Sequence, residues 1–359
     1  MANSNLLNAK RAKQDEFYTQ LVDIEKEMGA YLEYNPDMFR GKTILLPCDD
    51  PEWSNFTKYF AVRFRELGIK KLISTSYAPC ADGEGDGRGK IFILDGTNRA
   101  GDIAWDYLDG DGDFRSDEVT ALRDEADMVI TNPPFSLFRD FMAWLVDGDA
   151  QFSIIGNKNA IANKEIFPLI KENHIWMGST PMGRDMLFEV PEVAKVELMK
   201  KREGSAWRRA DGEVYARAAA CWFTNIEHGR RHDPLPLMTM EDNKSFNKKI
   251  IKNPTSYMGY DNYDAIEVPV TAGIPSDYDG VMGVPISFWD KYCPEQFEIV
   301  GMANRGAVDP TLVTRIYTAD DYPNYSSLNA GPVLIQNGEP RNTYTRILIR
   351  RIANNSTEG

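Results

Sequence analysis

No apolar run in the 359 residues approaches the ~18 that a membrane-spanning helix needs, so no helical span is expected. The polar opening Met1-Ala2-Asn3-Ser4-Asn5 is unlike a signal peptide, and the expected location is the cytoplasm, with no membrane partner. Cysteine is scarce: Cys48, Cys80, Cys221 and Cys293 stand far apart with no CxxC pairing, which argues against a disulfide framework and against a zinc site. Histidine is scarcer, with three in the chain. His228 and His232 have a metal-ligand spacing but no cysteine or acidic partners nearby, so both are expected at the surface and no metal is required. A glycine-rich phosphate loop and a Ser/His/Asp arrangement are missing too. Positive charge is also short: 41 basic against 54 acidic side chains leave a net charge of -13, the opposite of a nucleic-acid binder's usual footprint.

That average conceals a local excess. Residues 195–252 hold 13 basic and 8 acidic side chains, whereas residues 1–194 hold 21 and 33. The basic residues include Lys200-Lys201-Arg202, Arg208-Arg209, Arg230-Arg231 and Lys248-Lys249, interleaved with Trp207, Tyr215, Trp222 and Phe246. Such a stretch is either a solvated face or a phosphate-tracking surface. At 42% hydrophobic and 26% charged, the composition is that of an ordinary globular chain, long enough for two domains.

Apolar periodicity predicts a helix over 12–32, with Phe17, Leu21, Ile24 and Met28 at helical spacing. The run Thr43-Ile44-Leu45-Leu46 predicts a buried strand that opens into the acidic turn Pro47-Cys48-Asp49-Asp50-Pro51, and Ser54 is placed to cap the next helix. Further strands are expected at 70–76, 91–94, 127–131, 152–155, 175–177, 186–190 and 219–224, with helices at 137–146 and 164–172 between them. Alternation of this kind gives an α/β fold: a doubly wound, mostly parallel sheet of about seven strands. Asp109-Gly-Asp-Gly-Asp-Phe114 looks like a calcium loop but has Phe114 and Thr120 where the EF-hand needs Gly and Glu. An Asp-Phe turn suits a purine instead, with a carboxylate for an amino group and a ring for its face. Beyond Arg231 the chain becomes rich in proline, glycine and tyrosine and poor in long helices, which marks a boundary.

The organising stretch is Asp127-Met-Val-Ile-Thr131-Asn132-Pro133-Pro134-Phe135, a strand that runs directly into a double-proline turn. The prolines fix φ and remove two donors, so the turn presents acceptors at the carboxyl edge of the sheet, where open α/β folds bind ligands. It suits a planar amine whose N–H groups are held while its lone pair attacks.

Asn132-Pro-Pro-Phe135 resembles the catalytic motif of amino-methyltransferases. Further stretches are Asp15-Glu-Phe-Tyr-Thr-Gln20, Cys48-Asp-Asp-Pro51 with Ser54-Asn-Phe56 and Lys58-Tyr-Phe-Ala-Val62, Gly112-Asp-Phe-Arg-Ser116, Tyr260-Asp-Asn-Tyr-Asp-Ala-Ile266 and Asp279-Gly-Val-Met-Gly-Val-Pro-Ile286. Together they are similar to the EcoRI-type adenine-specific DNA methyltransferases, over about residues 15 to 300. The resemblance implies methyl transfer from S-adenosylmethionine to N6 of adenine in double-stranded DNA, with the target base flipped out. It implies that Asn132, Pro133, Pro134 and Phe135 are catalytic, with Phe188 a second stacking ring. Phe17, Tyr18, Thr19, Asp49, Asp50, Asp113 and Phe114 then bind the cofactor. With the boundary near Arg231 it implies a catalytic domain over 1–230 and a target-recognition region over 231–359, with a cognate restriction system as a candidate partner; the local excess of positive charge marks a basic insertion over 195–217 that is expected to contribute to DNA binding. The second strand lacks the acid that usually holds the cofactor ribose. Methylation of RNA guanine or protein glutamine, or a non-catalytic binding role, are the alternatives.

Overall fold

The computed structural model describes residues 18–78, 87–97, 104–183, 185–304 and 310–352. They fall into two units: residues up to Ala160 with Trp176–Gly229, and Ile161–Ile175 with Arg230 onwards.

The strands of the first unit are, in chain order, β1 (Tyr18–Thr19), β2 (Thr43–Leu46), β3 (Lys71–Thr75), β4 (Lys90–Leu94), β5 (Asp106–Tyr107), β6 (Met128–Thr131), β7 (Gln151–Asn157), β8 (Trp176–Met177), β9 (Met186–Glu189), β10 (Trp207–Ala210), β11 (Glu213–Ala218) and β12 (Ala220–Thr224). Eight of them form one sheet in the order β5-β4-β3-β2-β6-β7-β12-β8. Its centre, β3-β2-β6-β7, is parallel, and the flanking strands add antiparallel. The sheet thus has eight strands where about seven were expected. The expected strand at 186–190 lies elsewhere, because β9 pairs with β1 and β11 in a second sheet, β1-β9-β11-β10. The β10–β11 hairpin turns at Asp211 and Gly212, both at positive φ (48° and 86°), as a tight two-residue hairpin turn requires.

The central strands are apolar throughout because both faces are covered. Ile44, Leu46, Met128 and Ile130 share one core with the helices Leu21–Tyr34 and Asn55–Arg63. On the opposite face, Phe138 of helix Phe138–Asp147 meets Phe223 of β12, ring centroids 4.9 Å apart. The first of these helices begins at Leu21, not in the expected register from residue 12. Tyr18–Thr19 is extended to pair with β9, and Leu21 is 40% exposed. The part of the expected helix before Tyr18 lies outside the described residues. From Ile24 onward the spacing Ile24, Met28, Tyr31 packs inward, as a helix stripe should. Glu27 lies on that same stripe, fully buried. It accepts from the Tyr31 hydroxyl (2.9 Å), the Ser179 N–H (2.8 Å) and hydroxyl (3.0 Å), and the Thr180 N–H (3.0 Å) and hydroxyl (2.8 Å). A carboxylate removed from water needs its lone pairs filled, and here five donors fill them.

In the second unit β13 (Ile266–Glu267), β14 (Met282–Pro285), β15 (Phe297–Ala303) and β18 (Arg346–Arg351) form a sheet in the order β13-β14-β18-β15, beside a hairpin of β16 (Val333–Gln336) and β17 (Glu339–Asn342). Its helices are short, Lys248–Ile251 and Tyr325–Leu328 among them. Among the described residues no helix is long and apolar enough to cross a membrane. The sheet buries an ion pair: Arg346 grips Glu267 with Nη2 (2.6 Å) and Nε (3.1 Å), and the Tyr260 hydroxyl donates to the same carboxylate. Removing one partner strands the other charge. Glu267→Ala is expected to lower unfolding free energy by about 3–5 kcal/mol in urea denaturation; a loss below about 1 kcal/mol would mean that water reaches Arg346.

Candidate active site

Three turns meet at the carboxyl ends of the parallel strands. β2 ends in Pro47-Cys48-Asp49-Asp50, β6 ends in Thr131 and passes into Asn132-Pro133-Pro134, and the Asp111–Asp113 turn lies against the end of β3, where the Ala78 N–H donates to the Asp111 carbonyl at 2.8 Å.

Asp49 ties two of them together. Its side chain, in a residue only 6% exposed, accepts from the Ser54 hydroxyl with Oδ1 and from the Thr131 hydroxyl with Oδ2, each at 2.6 Å. Its N–H donates to the Thr75 carbonyl (2.9 Å), and its carbonyl accepts from the Ser74 hydroxyl (2.5 Å). Ser54 also caps helix Asn55–Arg63, as the sequence suggested, its Oγ accepting from the Phe56 N–H at 3.0 Å. Burial pushes the Asp49 carboxyl up to about 7; the two hydroxyls pull it down and the Asp50 charge pushes it further up. Burial likewise raises the Cys48 thiol, the negative charges of Asp49 and Asp113 add to the rise, and the Thr131 hydroxyl opposes it, so a residue from each of the three turns acts on this thiol.

The other candidates occupy distinct settings. Asp50 accepts from the Glu52 N–H (2.8 Å) and pairs with Lys90 (3.2 Å), which also binds Glu52 and lies 4.7 Å from the Trp105 ring centre. Asp113 is clasped by Arg115, with Nε at 2.9 Å and Nη2 at 2.6 Å. Burial acts to raise its pKa, but the Arg115 bonds outweigh it and hold the carboxyl below its ordinary range. The sequence suggested Phe114 as an open stacking ring. The structure buries it to 4% exposure, edge-on to Phe141 (4.9 Å) and Trp144 (5.6 Å). Phe188 is fully buried, so it backs Phe135, 6.2 Å away, and does not offer a face to a base. Through Phe188 the small sheet brings Thr19 beside the proline turn, because Thr19 is its register partner on β1. The Asn55 amide donates to the Thr19 carbonyl at 2.9 Å, and the Thr19 hydroxyl is buried with no hydrogen-bond partner among the described residues. Phe17 lies outside them.

In the turn itself Pro134 has φ -56° and ψ 125°, and its carbonyl accepts from the Leu137 N–H at 2.9 Å, closing the 3-10 turn Phe135–Leu137. Asn132 is half-buried and its side-chain oxygen is shielded from solvent. Sequence reasoning missed Thr131, Asn55, Lys90 and Arg115 as supports. Only Thr131 carried a usable signal, a hydroxyl one residue before the turn. His228 corrects the surface expectation: it is 2% exposed and its Nε2 lies 2.8 Å from the Met177 carbonyl. No cluster of three or more candidate metal ligands occurs among the described residues.

The family model described as "Adenine-specific methyltransferase EcoRI" matches residues 5–352. The chain belongs to this family. The Type II methyltransferase M.EcoRI of Escherichia coli is 42% identical over 313 residues, covering 83% of this chain and 89% of that protein. The Type II methyltransferase M.MpnI of Mycoplasma pneumoniae is 33% identical over 348 residues, covering 96% and 98%. M.MgeORF184P of Mycoplasma genitalium, also a Type II methyltransferase, is 34% identical over 345 residues, covering 96% and 97%. No solved structure matches. The chain is therefore an adenine-specific DNA methyltransferase, whose ligands are a methyl donor and DNA.

In this EcoRI-type methyltransferase part of the basic segment is spent internally. Lys195 pairs with Glu192 (2.6 Å) and Glu213 (2.9 Å), Lys200 with Glu197 (2.5 Å) and Arg217 with Asp185 (2.6 Å). Arg208 and Arg209 of β10 are exposed.

The raised Asp49 pKa has a stability consequence. The folded chain holds this proton up to about pH 7, whereas the unfolded chain releases it near 3.8, so folding loses stability as pH rises between those values. Asp49→Asn removes the titration. Its stability relative to the parent is expected to improve steadily from pH 4 to pH 7 in urea midpoints; a constant difference across that range would contradict the buried, proton-holding carboxyl.

Proposed function

We propose that the chain transfers the methyl group of S-adenosylmethionine to N6 of a flipped adenine in double-stranded DNA, and the observation that carries this reading is the convergence of the Asp49, Asp113 and Asn132 turns at one sheet edge. Bound there, S-adenosylmethionine supplies an electrophilic methyl on a sulfonium. The buried Thr19 hydroxyl, unpartnered among the described residues, fits the amino-acid end of that molecule, with Tyr18 its neighbour on β1, and Asp50 is a further cofactor contact. Asp113 is the acceptor for the cofactor adenine, and Phe114, packed against Phe141 and Trp144, anchors that turn in the core. Because Asp113 is held as a carboxylate by Arg115, it remains an acceptor well below neutral pH.

The target amine is a poor nucleophile because its lone pair is delocalised into the ring. Accepting its two N–H bonds at the Asn132 side-chain oxygen and the Pro133 carbonyl favours a tetrahedral nitrogen. The same acceptors stabilise the positive charge that develops there, as preorganised dipoles in a dry site do. The Pro134 carbonyl already accepts from the Leu137 N–H, which holds the turn in shape. Phe135 is the ring against the flipped base, whose extraction costs a few kcal/mol. The second unit is proposed as the target-recognition region. A cognate restriction enzyme is its proposed companion in the cell.

Expression in a methylation-free host followed by genomic sequencing is expected to reveal N6-methyladenine at one recurring sequence; unmodified DNA would overturn the reading. Asn132→Ala should reduce methyl transfer on the order of 10²–10³-fold with S-adenosylmethionine affinity unchanged in calorimetry, and full activity would remove the catalytic assignment. Replacing Arg208 and Arg209 together with alanine should weaken duplex binding on every sequence and flatten the slope of log K against log salt by about two units. An unchanged slope would place the phosphate contacts elsewhere.

A further inference from the structure

The resemblance made Asp49 a cofactor contact, but the geometry gives it other work. Both carboxylate oxygens are engaged inside the protein, one by Ser54 at the start of a helix and one by Thr131 at the end of β6. Its backbone is bonded on both sides to β3, through the Thr75 carbonyl and the Ser74 hydroxyl. Ser74 shares a further hydrogen bond with the Thr57 hydroxyl at 2.7 Å, and the Thr75 hydroxyl donates to the Pro47 carbonyl at 3.2 Å. One residue therefore joins the ends of β2, β3 and β6 to the first turn of helix Asn55–Arg63.

We propose that Asp49 and Thr131 form a positioning strut for the reaction, in which the Thr131 hydroxyl, held by the Asp49 carboxylate, sets the heading of the Asn132 amide one residue later. This rests on the reading of Asn132 as the acceptor of the target amine. Thr131 is fully buried, and a β-branched side chain with its hydroxyl committed has a single rotamer, so the backbone entering the turn is fixed from the cofactor's side of the sheet edge. Misplacing a reacting group by about 1 Å costs on the order of 10²-fold in rate, which is the scale on which such a strut acts. The strut touches neither the methyl donor nor the base, so its loss acts on the chemical step and leaves binding alone.

The test compares Thr131→Val, which keeps the shape and removes the hydroxyl, with Thr131→Ser, which keeps the hydroxyl. Single-turnover methyl transfer and S-adenosylmethionine affinity are measured on the full chain, with a DNA substrate methylated by the parent. Thr131→Val is expected to slow the single-turnover rate about ten- to a hundredfold with cofactor and duplex affinities within about twofold, and Thr131→Ser to recover most of the loss. If Thr131→Val does not fold, Thr131→Ala takes its place with the same expectation. An undiminished rate, or a loss of cofactor affinity equal to the loss of rate, overturns the strut. Failure of the underlying reading looks different: the parent then methylates no DNA, or Asn132→Ala retains full activity.

Discussion

Covering both faces of a four-stranded parallel block governs where everything else can go. With Ile44, Leu46, Met128 and Ile130 packed on one side and Phe223 under Phe138 on the other, no face of the sheet's centre is left for chemistry. Polar groups are admitted only where the strands stop. The acidic turn after β2, the Asp111–Asp113 turn and the proline turn after β6 therefore crowd a single edge, and the Asp49 carboxyl that joins the first to the third is buried deeply enough to hold a proton near neutrality.

Strand and turn chemistry in the core was legible because it is local. A continuous apolar run, a Ser cap and a double proline each declare themselves within a few residues, and β2, β6 and helix Asn55–Arg63 came out within a residue or two at their starts. What escaped reading depends on pairing across long separations. β9 reads like any other sheet strand, and nothing in Met186–Glu189 says that its partners are β1 and β11 rather than the main sheet. Tyr18–Thr19 reads as part of a helix for the same reason. The strand at 106–107 is two exposed residues with no periodicity to find.

The candidate site divides along the same line. The residue types at Asn132, Asp113 and Asp49 pointed to turns that the fold gathers at one sheet edge, but a sequence cannot say whether a carboxylate faces outward or inward. Asp49 turned inward to two hydroxyls, and Phe114 and Phe188 went into the core. The charge pattern over 195–217 was visible in composition, whereas its partial cancellation by Glu192, Glu197, Glu213 and Asp185 needed the fold.

The pairing of β1 with β9 also bears on how the protein is made. Thr19 takes its place only when Phe188 is available, and the Glu27 carboxylate only when Ser179 and Thr180 are. A ribosome adds about 5–20 residues per second, so roughly ten to thirty seconds separate the synthesis of the first segment from that of its partner. Throughout that interval the Glu27 carboxylate stays in water and the first strand has no partner to pair with. An enzyme that marks DNA thus completes the β1–β9 pairing only after most of its first unit exists, and fragments released early lack that pairing.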